Sequence, residues 1–182
     1  MEAPAIFERV QQLCPDAIAA PLASENTKDP FFKVKPDKWL DVARAMKSTP
    51  DLSFDFCNNI TAVDWIKQNI LQVVYHLWSY QHRHGIVVKV DLDRAKPQVQ
   101  SVESVWKAAN WNEREQYDLF GVEFLGHPDL RRLLMPDDWV GHPMRKDYKE
   151  ATDYRGMPTT RPSPLDLLNV YDKAHVKVDG VK

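Results

Sequence analysis

The apolar residues of the first half of the chain follow two spacings, one typical of helices and one typical of strands. Residues 5–13 and 38–47 repeat apolar positions every three to four residues, which predicts two amphipathic helices. Pro15 follows the first of them as a stop. The positions at helical spacing are Ile6, Val10 and Leu13 in the first helix and Trp39, Val42, Ala43 and Met46 in the second.

A strand is predicted over residues 71–80, with Leu71, Val73, Tyr75 and Leu77 on one face and Val74, His76 and Trp78 on the other. Residues 86–92 repeat that alternation after a polar turn, so the two segments are expected to form an antiparallel hairpin at the centre of a sheet. Four weaker patterns predict further strands over residues 17–22, 31–34, 52–56 and 59–64.

Two more helices are predicted in the middle of the chain. Ser101 is expected to cap one whose inward residues are Val102, Val105, Trp106 and Ala109. Asn112 is expected to cap the next, with Glu115 reaching back to it, and Gly121 to end it. Elements in this order predict an α+β fold, with helices packed on a mostly antiparallel sheet.

The pattern changes after Phe124, where frequent prolines interrupt any long helix or interior strand. Only short helical turns are possible, over residues 129–134 and 164–170. We therefore expect an α+β domain over residues 1–125 and, over 126–182, turns followed by an extended C-terminal arm. Because its aromatic and arginine residues are types that anchor interfaces, the arm is expected to lie along partner proteins.

Composition limits the kinds of partner and cofactor. The net charge of −2 in 182 residues gives no reason to expect nucleic acid or an anionic membrane. No apolar run reaches membrane-spanning length, and no secretory or transit peptide is evident. Cys14 and Cys57 lie far apart without a Cys-x-x-Cys motif, and no glycine-rich phosphate loop is present. The sequence therefore predicts no iron–sulfur cluster, zinc site, flavin or nicotinamide held by this chain alone.

The densest group of charges is Glu113, Glu115 and Asp118, followed by Arg131 and Arg132. Glu115 and Asp118 share a helical face and repel, so they require a cation from these arginines or from another chain. The first two glutamates point in different directions, which does not suit an acid–base pair. Ion pairing is therefore favoured over catalysis.

Histidines offer a weaker indication of chemistry. His82 and His84 flank Arg83 in a predicted turn, where two imidazoles could approach a metal, but a third ligand is not apparent. A solvated turn is the preferred interpretation. His127 and His142 each stand between Gly and Pro, a context that fixes a turn and favours hydrogen bonds to backbone or to a partner carboxylate.

The sequence motif of residues 113–148 is more specific than any of these patterns. Glu-Arg-Glu-x-x-Asp-Leu-Phe-Gly-Val-x-Phe-x-Gly-His-Pro-Asp-Leu-Arg-Arg-Leu-Leu is followed by Met-Pro-Asp-Asp-Trp and Gly-His-Pro-Met-Arg-Lys-Asp-Tyr. This run closely resembles the thirty-kilodalton subunit (the C subunit) of respiratory complex I, the proton-translocating NADH:quinone oxidoreductase.

The resemblance implies a cofactor-free structural subunit in the hydrophilic arm of that enzyme, with no catalytic residues of its own. It would dock against the forty-nine-kilodalton (D) subunit near the iron–sulfur subunits, while FMN, iron–sulfur clusters and quinone belong to the assembly. Its place would be the cytoplasmic side of the bacterial inner membrane, or the matrix side of the mitochondrial one, touching membrane only through the complex. The expected interface residues are Glu113, Arg114, Glu115, Asp118, Phe120, Gly121, His127, Pro128, Arg131, Arg132, Trp139, His142, Arg145 and Tyr148.

Two alternatives stay open at this point. The chain is also compatible with the homologous subunit of a membrane-bound hydrogenase or of a ferredoxin- or F420-linked dehydrogenase. A free-standing hydrolase that uses Asp, Glu and His with a metal is the alternative from another class.

Overall fold

Two of the predicted helices form where the apolar spacing places them. The computed structural model describes residues 1–23 and 29–159, in which α1 spans Ala3–Leu13 and α2 spans Trp39–Ser48. Short 3₁₀ turns occur at Pro15–Ala17, Pro36–Lys38 and Ile66–Gln68. All predicted inward positions are buried except Leu13, which is exposed because α1 ends at that residue.

The main strands of the described residues form one mixed sheet. They are β1 (Ile18–Ala23), β2 (Phe31–Val34), β3 (Phe56–Trp65), β4 (Ile70–Ser79) and β5 (His84–Asp93). Their order is β1-β2-β5-β4-β3, and every neighbouring pair is antiparallel except β2 with β5. The predicted central hairpin is confirmed as β4 and β5. The strand predicted over residues 59–64 lies within β3, but the strand predicted over 52–56 is wrong, because β3 begins only at Phe56.

One face of this sheet carries the core. Alternate residues of β4 and β5 pair across the strands with their side chains buried, as in Tyr75 opposite Val88 and Val73 opposite Val90. The Trp39 ring of α2 packs against Tyr75 with ring centroids 4.4 Å apart. This layer of helix on sheet confirms the α+β prediction.

The third helix, α3 (Ala109–Phe120), packs against the edge strand β3. The Ala62 backbone N–H of that edge donates to Gln116 Oε1 at 2.9 Å, so a side chain of α3 satisfies a donor that the sheet leaves unpaired. The segments on either side of α3 meet in a short parallel pair, β6 (Gln98–Gln100) and β7 (Glu123–Leu125).

Both predicted caps in this region are wrong. Residues 101–108 form turns and not a helix, and the Ser101 hydroxyl donates to Glu113 Oε2 at 2.6 Å. Asn112 lies inside α3, where its Nδ2 donates to the Ala108 carbonyl at 3.1 Å. The end of the helix is as predicted, since Gly121 adopts the left-handed conformation with φ +74°.

The chain divides into two compact units, Met1–Tyr148 and Lys149–Lys182. Residues 126–148 therefore belong to the first unit, whereas the sequence-based prediction placed them with the arm. The helical turn expected over residues 129–134 is not formed. In the second unit a small hairpin joins β8 (Asp153–Tyr154) to β9 (Met157–Pro158), and the helical turn expected over 164–170 lies outside the described residues. No helix among the described residues is long and apolar enough to cross a membrane.

Candidate functional site

A buried carboxylate at the end of α3 fixes the irregular segment that follows it. Asp118 is fully buried, and its Oδ2 accepts the backbone N–H groups of Leu133, Leu134 and Met135 at 3.0, 2.7 and 2.8 Å. Its Oδ1 accepts Arg132 Nη1 at 2.7 Å. We call residues 126–148 the clamped loop, because this carboxylate supplies hydrogen bonds that a loop cannot make for itself.

The charge of Asp118 is stabilised inside the protein. Burial opposes ionisation, but the three backbone donors and the Arg132 guanidinium outweigh it and hold the pKa of Asp118 below its ordinary value. The carboxylate therefore stays charged at neutral pH. The expected pairing of Asp118 with Arg131 or Arg132 is confirmed for Arg132.

Arg132 links both halves of the clamped loop to α3. In addition to Asp118, its Nη2 donates to the carbonyls of Trp139 at 2.9 Å and Gly141 at 3.2 Å. A planar guanidinium can serve acceptors in several directions at once. One side chain thus fixes the second half of the loop relative to the first.

The second Gly-His-Pro turn fits against the end of α3. His142 Nδ1 is 3.0 Å from the Asp118 carbonyl oxygen, and burial keeps the pKa of His142 below its ordinary value. A Cβ on Gly121 would lie 2.5 Å from the His142 ring, so this glycine serves both the helix end and the close approach of the histidine. Next to it, Trp139 Nε1 donates to the Tyr148 hydroxyl at 3.0 Å.

The last part of the clamped loop is attached both to α3 and to the sheet. Arg145 Nε donates to the Phe120 carbonyl at 2.7 Å. Arg94, which follows β5, donates to Asp64 at 2.7 Å and also pairs with Asp147. The Arg94 hydrogen bond lowers the pKa of Asp64, whose Oδ2 also accepts the backbone N–H of Lys146.

The carboxyl of Glu113 faces the opposite direction, into the chain's own core. It is fully buried and accepts the Ser101 hydroxyl at 2.6 Å and the Val102 N–H at 2.8 Å. His127 Nε2 lies 4.0 Å away and also contacts the Asn110 carbonyl at 3.2 Å, while its Nδ1 accepts the Asp129 N–H at 3.0 Å. Burial outweighs the two hydrogen bonds that Glu113 accepts and raises its pKa to about 7.

Comparison with known proteins places this arrangement in a family. A family model described as "Respiratory-chain NADH dehydrogenase, 30 Kd subunit" matches residues 32–154. The chain belongs to this family.

Named relatives agree with that assignment. The chain is 41% identical over 148 residues to the NADH-quinone oxidoreductase C subunit of Roseiflexus castenholzii, covering 81% of this chain and 84% of that protein. It is 41% identical over 158 residues to the C subunit of Chlorobium phaeobacteroides, covering 86% and 94%. A protein named as a C/D subunit of NADH-quinone oxidoreductase, from Phocaeicola vulgatus, is 44% identical over 122 residues, covering 66% of this chain and 23% of that protein.

Two solved structures share the fold. A chain of the membrane-bound sulfane sulfur reductase, "an archaeal respiratory membrane complex", superposes with a TM-score of 0.64 at 27% identity, covering 96% of this chain and 94% of that one. A trypsin-resistant fragment of Nqo5 superposes with a TM-score of 0.57 at 24% identity, covering 71% and 100%, which is a likeness of fold.

The family motif over residues 113–148 is thus mostly an internal network, which corrects part of the interface prediction. Glu113 and Asp118 are fully buried by their own chain, so neither carboxylate can hold an arginine across an interface. The guanidinium of Arg114 is also turned inward, donating to the carbonyls of Arg131 and Arg132, both at 3.3 Å. The side chain of Phe120 is buried as well.

Other predicted interface residues keep some exposure. Arg131 is exposed and pairs with Asp129, Pro128 is exposed, and Glu115 is half-buried beside Gln116. For these residues a role at an interface stays a prediction.

His82 and His84 do not present a shared pair of ligands. Their rings stack at 5.5 Å, but His82 Nε2 contacts the Pro50 carbonyl and His84 Nε2 contacts that of Leu52. His84 is moreover part of β5 and not of the turn. Among the described residues, no group of three or more His, Cys, Asp or Glu side chains is arranged to hold a metal.

Sequence reasoning missed Asp64, Arg94 and Ser101 as partners of the motif. Asp64 and Arg94 lie about 50 to 80 residues before the backbone and carboxylate they bind in residues 146–147. No local pattern in the sequence marks such a contact.

Replacing Asp118 should destabilise the subunit itself. The Asp118→Asn variant loses the charge that holds Arg132 and the N–H groups of residues 133–135, which should lower the free energy of unfolding by about 3 kcal/mol. Because the pKa of Asp118 is lowered by folding, its contribution is present above the ordinary carboxyl pKa and is lost as the pH falls through the folded pKa. Urea unfolding at pH 7 and at acid pH measures both effects.

The matched control is Asp129→Asn, in the same loop. Asp129 and Arg131 form an exposed pair, whose loss should cost roughly 1 kcal/mol or less. Equal losses in the two variants would contradict the anchoring role of Asp118.

Glu113 should make the subunit less stable as the pH rises. Its pKa is raised on folding, so the stability it contributes is full below pH 4.5 and is lost between pH 4.5 and about 7. The Glu113→Gln variant keeps an acceptor for the Val102 N–H but cannot ionise. Its free energy of unfolding relative to the wild type should therefore rise by up to about 3 kcal/mol across that interval. Parallel stability–pH curves for the two proteins would rule the effect out.

Proposed function

We propose that this protein is a cofactor-free structural subunit of the hydrophilic arm of NADH:quinone oxidoreductase, which docks through the clamped loop against the D subunit. The supporting observation is the orientation of the loop's side chains. Arg132 and Arg145 of the loop turn inward and donate to backbone carbonyls. The side chains left outside include large apolar ones beside charged ones such as Arg131.

Three of these apolar side chains are the main members of the proposed docking surface. Leu134, Val140 and Met144 are 61%, 84% and 53% exposed. Their positions are fixed, because the N–H groups of Leu134 and Met144 bind Asp118 and Leu119, and Arg132 binds the carbonyls on both sides of Val140. A loop held in one conformation loses little conformational entropy on binding, which favours association.

The D subunit is the proposed partner because one relative carries both names. The Phocaeicola vulgatus protein named as a C/D subunit contains a region 44% identical to this chain within a much longer polypeptide. Two subunits that are fused in one polypeptide are expected to be neighbours in an assembly where they are separate chains. FMN, iron–sulfur clusters and quinone would then be bound by other subunits, with this chain on the cytoplasmic side of the bacterial membrane and in contact with that membrane only through the complex.

The geometry favours a structural role over catalysis. The carboxylates of Asp118 and Asp64 are occupied by backbone N–H groups and arginines. The Glu113 carboxyl is enclosed in the core. A group that acts on a substrate must reach it, and these three are committed to the fold.

A related respiratory complex is the second candidate. The sulfane sulfur reductase chain covers nearly the whole of this one at 27% identity. The higher identity to the C subunits of the relatives, 41% over comparable coverage, favours NADH:quinone oxidoreductase. Measuring NADH-dependent against sulfur-dependent turnover of the purified complex distinguishes the two.

Polar substitution in the clamped loop should impair assembly and spare turnover. The variant Leu134→Gln with Val140→Asn removes apolar surface from the proposed interface, and side chains central to an interface each contribute roughly 2 kcal/mol. We expect the amount of assembled complex on a native gel to fall by about tenfold or more. NADH:quinone activity per assembled complex should stay unchanged.

Leu13→Gln is the matched control, since Leu13 is an exposed leucine at the end of α1. It should assemble normally. Normal abundance of the loop variant with lost turnover would contradict a structural role.

A further inference from the structure

The sheet has a second face that the helices of the described residues leave open. Residues of β4 and β5 that alternate with the core positions point to it, including the exposed Trp78 and the buried Val74 and Val87. Trp65 and Trp78 are 45% and 38% exposed. An antiparallel sheet with one solvated face normally carries polar residues there, so apolar and aromatic side chains at these positions indicate a covered surface.

The outer face has room for the Trp78 ring to lie flat on it. A Cβ on Gly85, the cross-strand partner of Trp78, would lie 2.8 Å from the Trp78 ring. The missing side chain therefore lets the indole lie across the sheet. Beside it is a depression of about 490 Å³, lined in part by Phe56, His76 and Val87.

The outer face carries charged residues of both signs, and among the described residues Lys89 is in no ion pair. Lys33 and Lys89 are neighbours on β2 and β5, and the Asp91 carboxylate is already bound by Lys33 at 2.6 Å and by Gln72 at 2.5 Å. The Lys89 ammonium lies 3.4 Å from the centre of the Phe31 ring and makes no ion pair within the described part of the chain. Burial and the nearby Lys33 lower the pKa of Lys89. A carboxylate brought to this position would be favourable.

We propose that the outer face of the sheet binds an apolar segment of another subunit of the oxidoreductase, and that a carboxylate of this segment pairs with Lys89. The apolar part of the segment would cover Trp65 and Trp78, residues of a type enriched where binding energy is concentrated. The inference rests on the proposed function, because it requires a multisubunit assembly.

A second copy of this chain fits the face less well. A twofold interface sets the same patch against itself, so each copy would bring its own neighbouring lysines, Lys33 and Lys89, toward those of the other copy. The occupant is therefore a different chain that carries an acidic residue next to apolar ones.

Site-specific photocrosslinking in the assembled complex tests the proposal. A benzoylphenylalanine at position 65 replaces an exposed aromatic and should crosslink to a peptide of one other subunit that contains Asp or Glu beside apolar residues. The expected yield falls about tenfold with Lys89→Glu and is unchanged with Lys38→Glu, an exposed lysine of the 3₁₀ turn before α2. Thermal melts of the isolated variants separate loss of docking from loss of fold.

A charge exchange completes the test. Replacing the acidic residue of the crosslinked peptide by Lys should reduce the crosslink by itself and restore it when combined with Lys89→Glu. Crosslinks to a second copy of this chain, no crosslink in an intact complex, or a yield indifferent to Lys89→Glu in a folded variant would each overturn the proposal. A chain that never joins the oxidoreductase contradicts the proposed function instead, so the two failures are distinguishable.

Discussion

The clamped loop of residues 126–148 depends on one buried anion. Removing a carboxylate from water costs several kcal/mol unless hydrogen bonds and a cation replace its hydration. Asp118 obtains three backbone N–H groups and Arg132 from the segment that follows it. The exchange is mutual, because a loop without regular structure needs partners for its own backbone. The helix end and the clamped loop therefore stabilise each other.

A surface useful for assembly follows from this internal network. Several charged residues of the family motif hold the backbone, and the clamped loop exposes apolar residues such as Val140 beside charged ones such as Arg131. The sheet contributes in a similar manner, with Trp78 on the face opposite the core. In a family of proteins that work within a larger complex, a motif rich in charge need not be the contact itself. The motif can instead fix the shape of the contact surface through hydrogen bonds inside the subunit.

The regular elements were predictable where hydrophobic spacing is set locally. α2 and the β4–β5 hairpin appear where their periodicities place them, because burial of one face requires that spacing whatever lies opposite. Capping was predicted less well. Ser101 and Asn112 have the side chains of N-caps, but Ser101 instead binds Glu113, and α3 begins three residues before Asn112. A serine side chain can cap a helix only if no other group binds it more favourably. For Ser101 that other group is Glu113, which the tertiary fold brings close.

By itself the sequence determined the fold class, the family resemblance and the need of Asp118 for a cation. Tertiary structure alone decided which way the charges face. Glu113 and Asp118 are both buried, yet one carboxyl is raised in pKa and the other lowered, because only Asp118 meets a guanidinium and three N–H donors. Arg94 and Asp64 join the same network from the sheet. Burial and direction depend on segments that are distant in the chain, and no local pattern encodes where those segments cross.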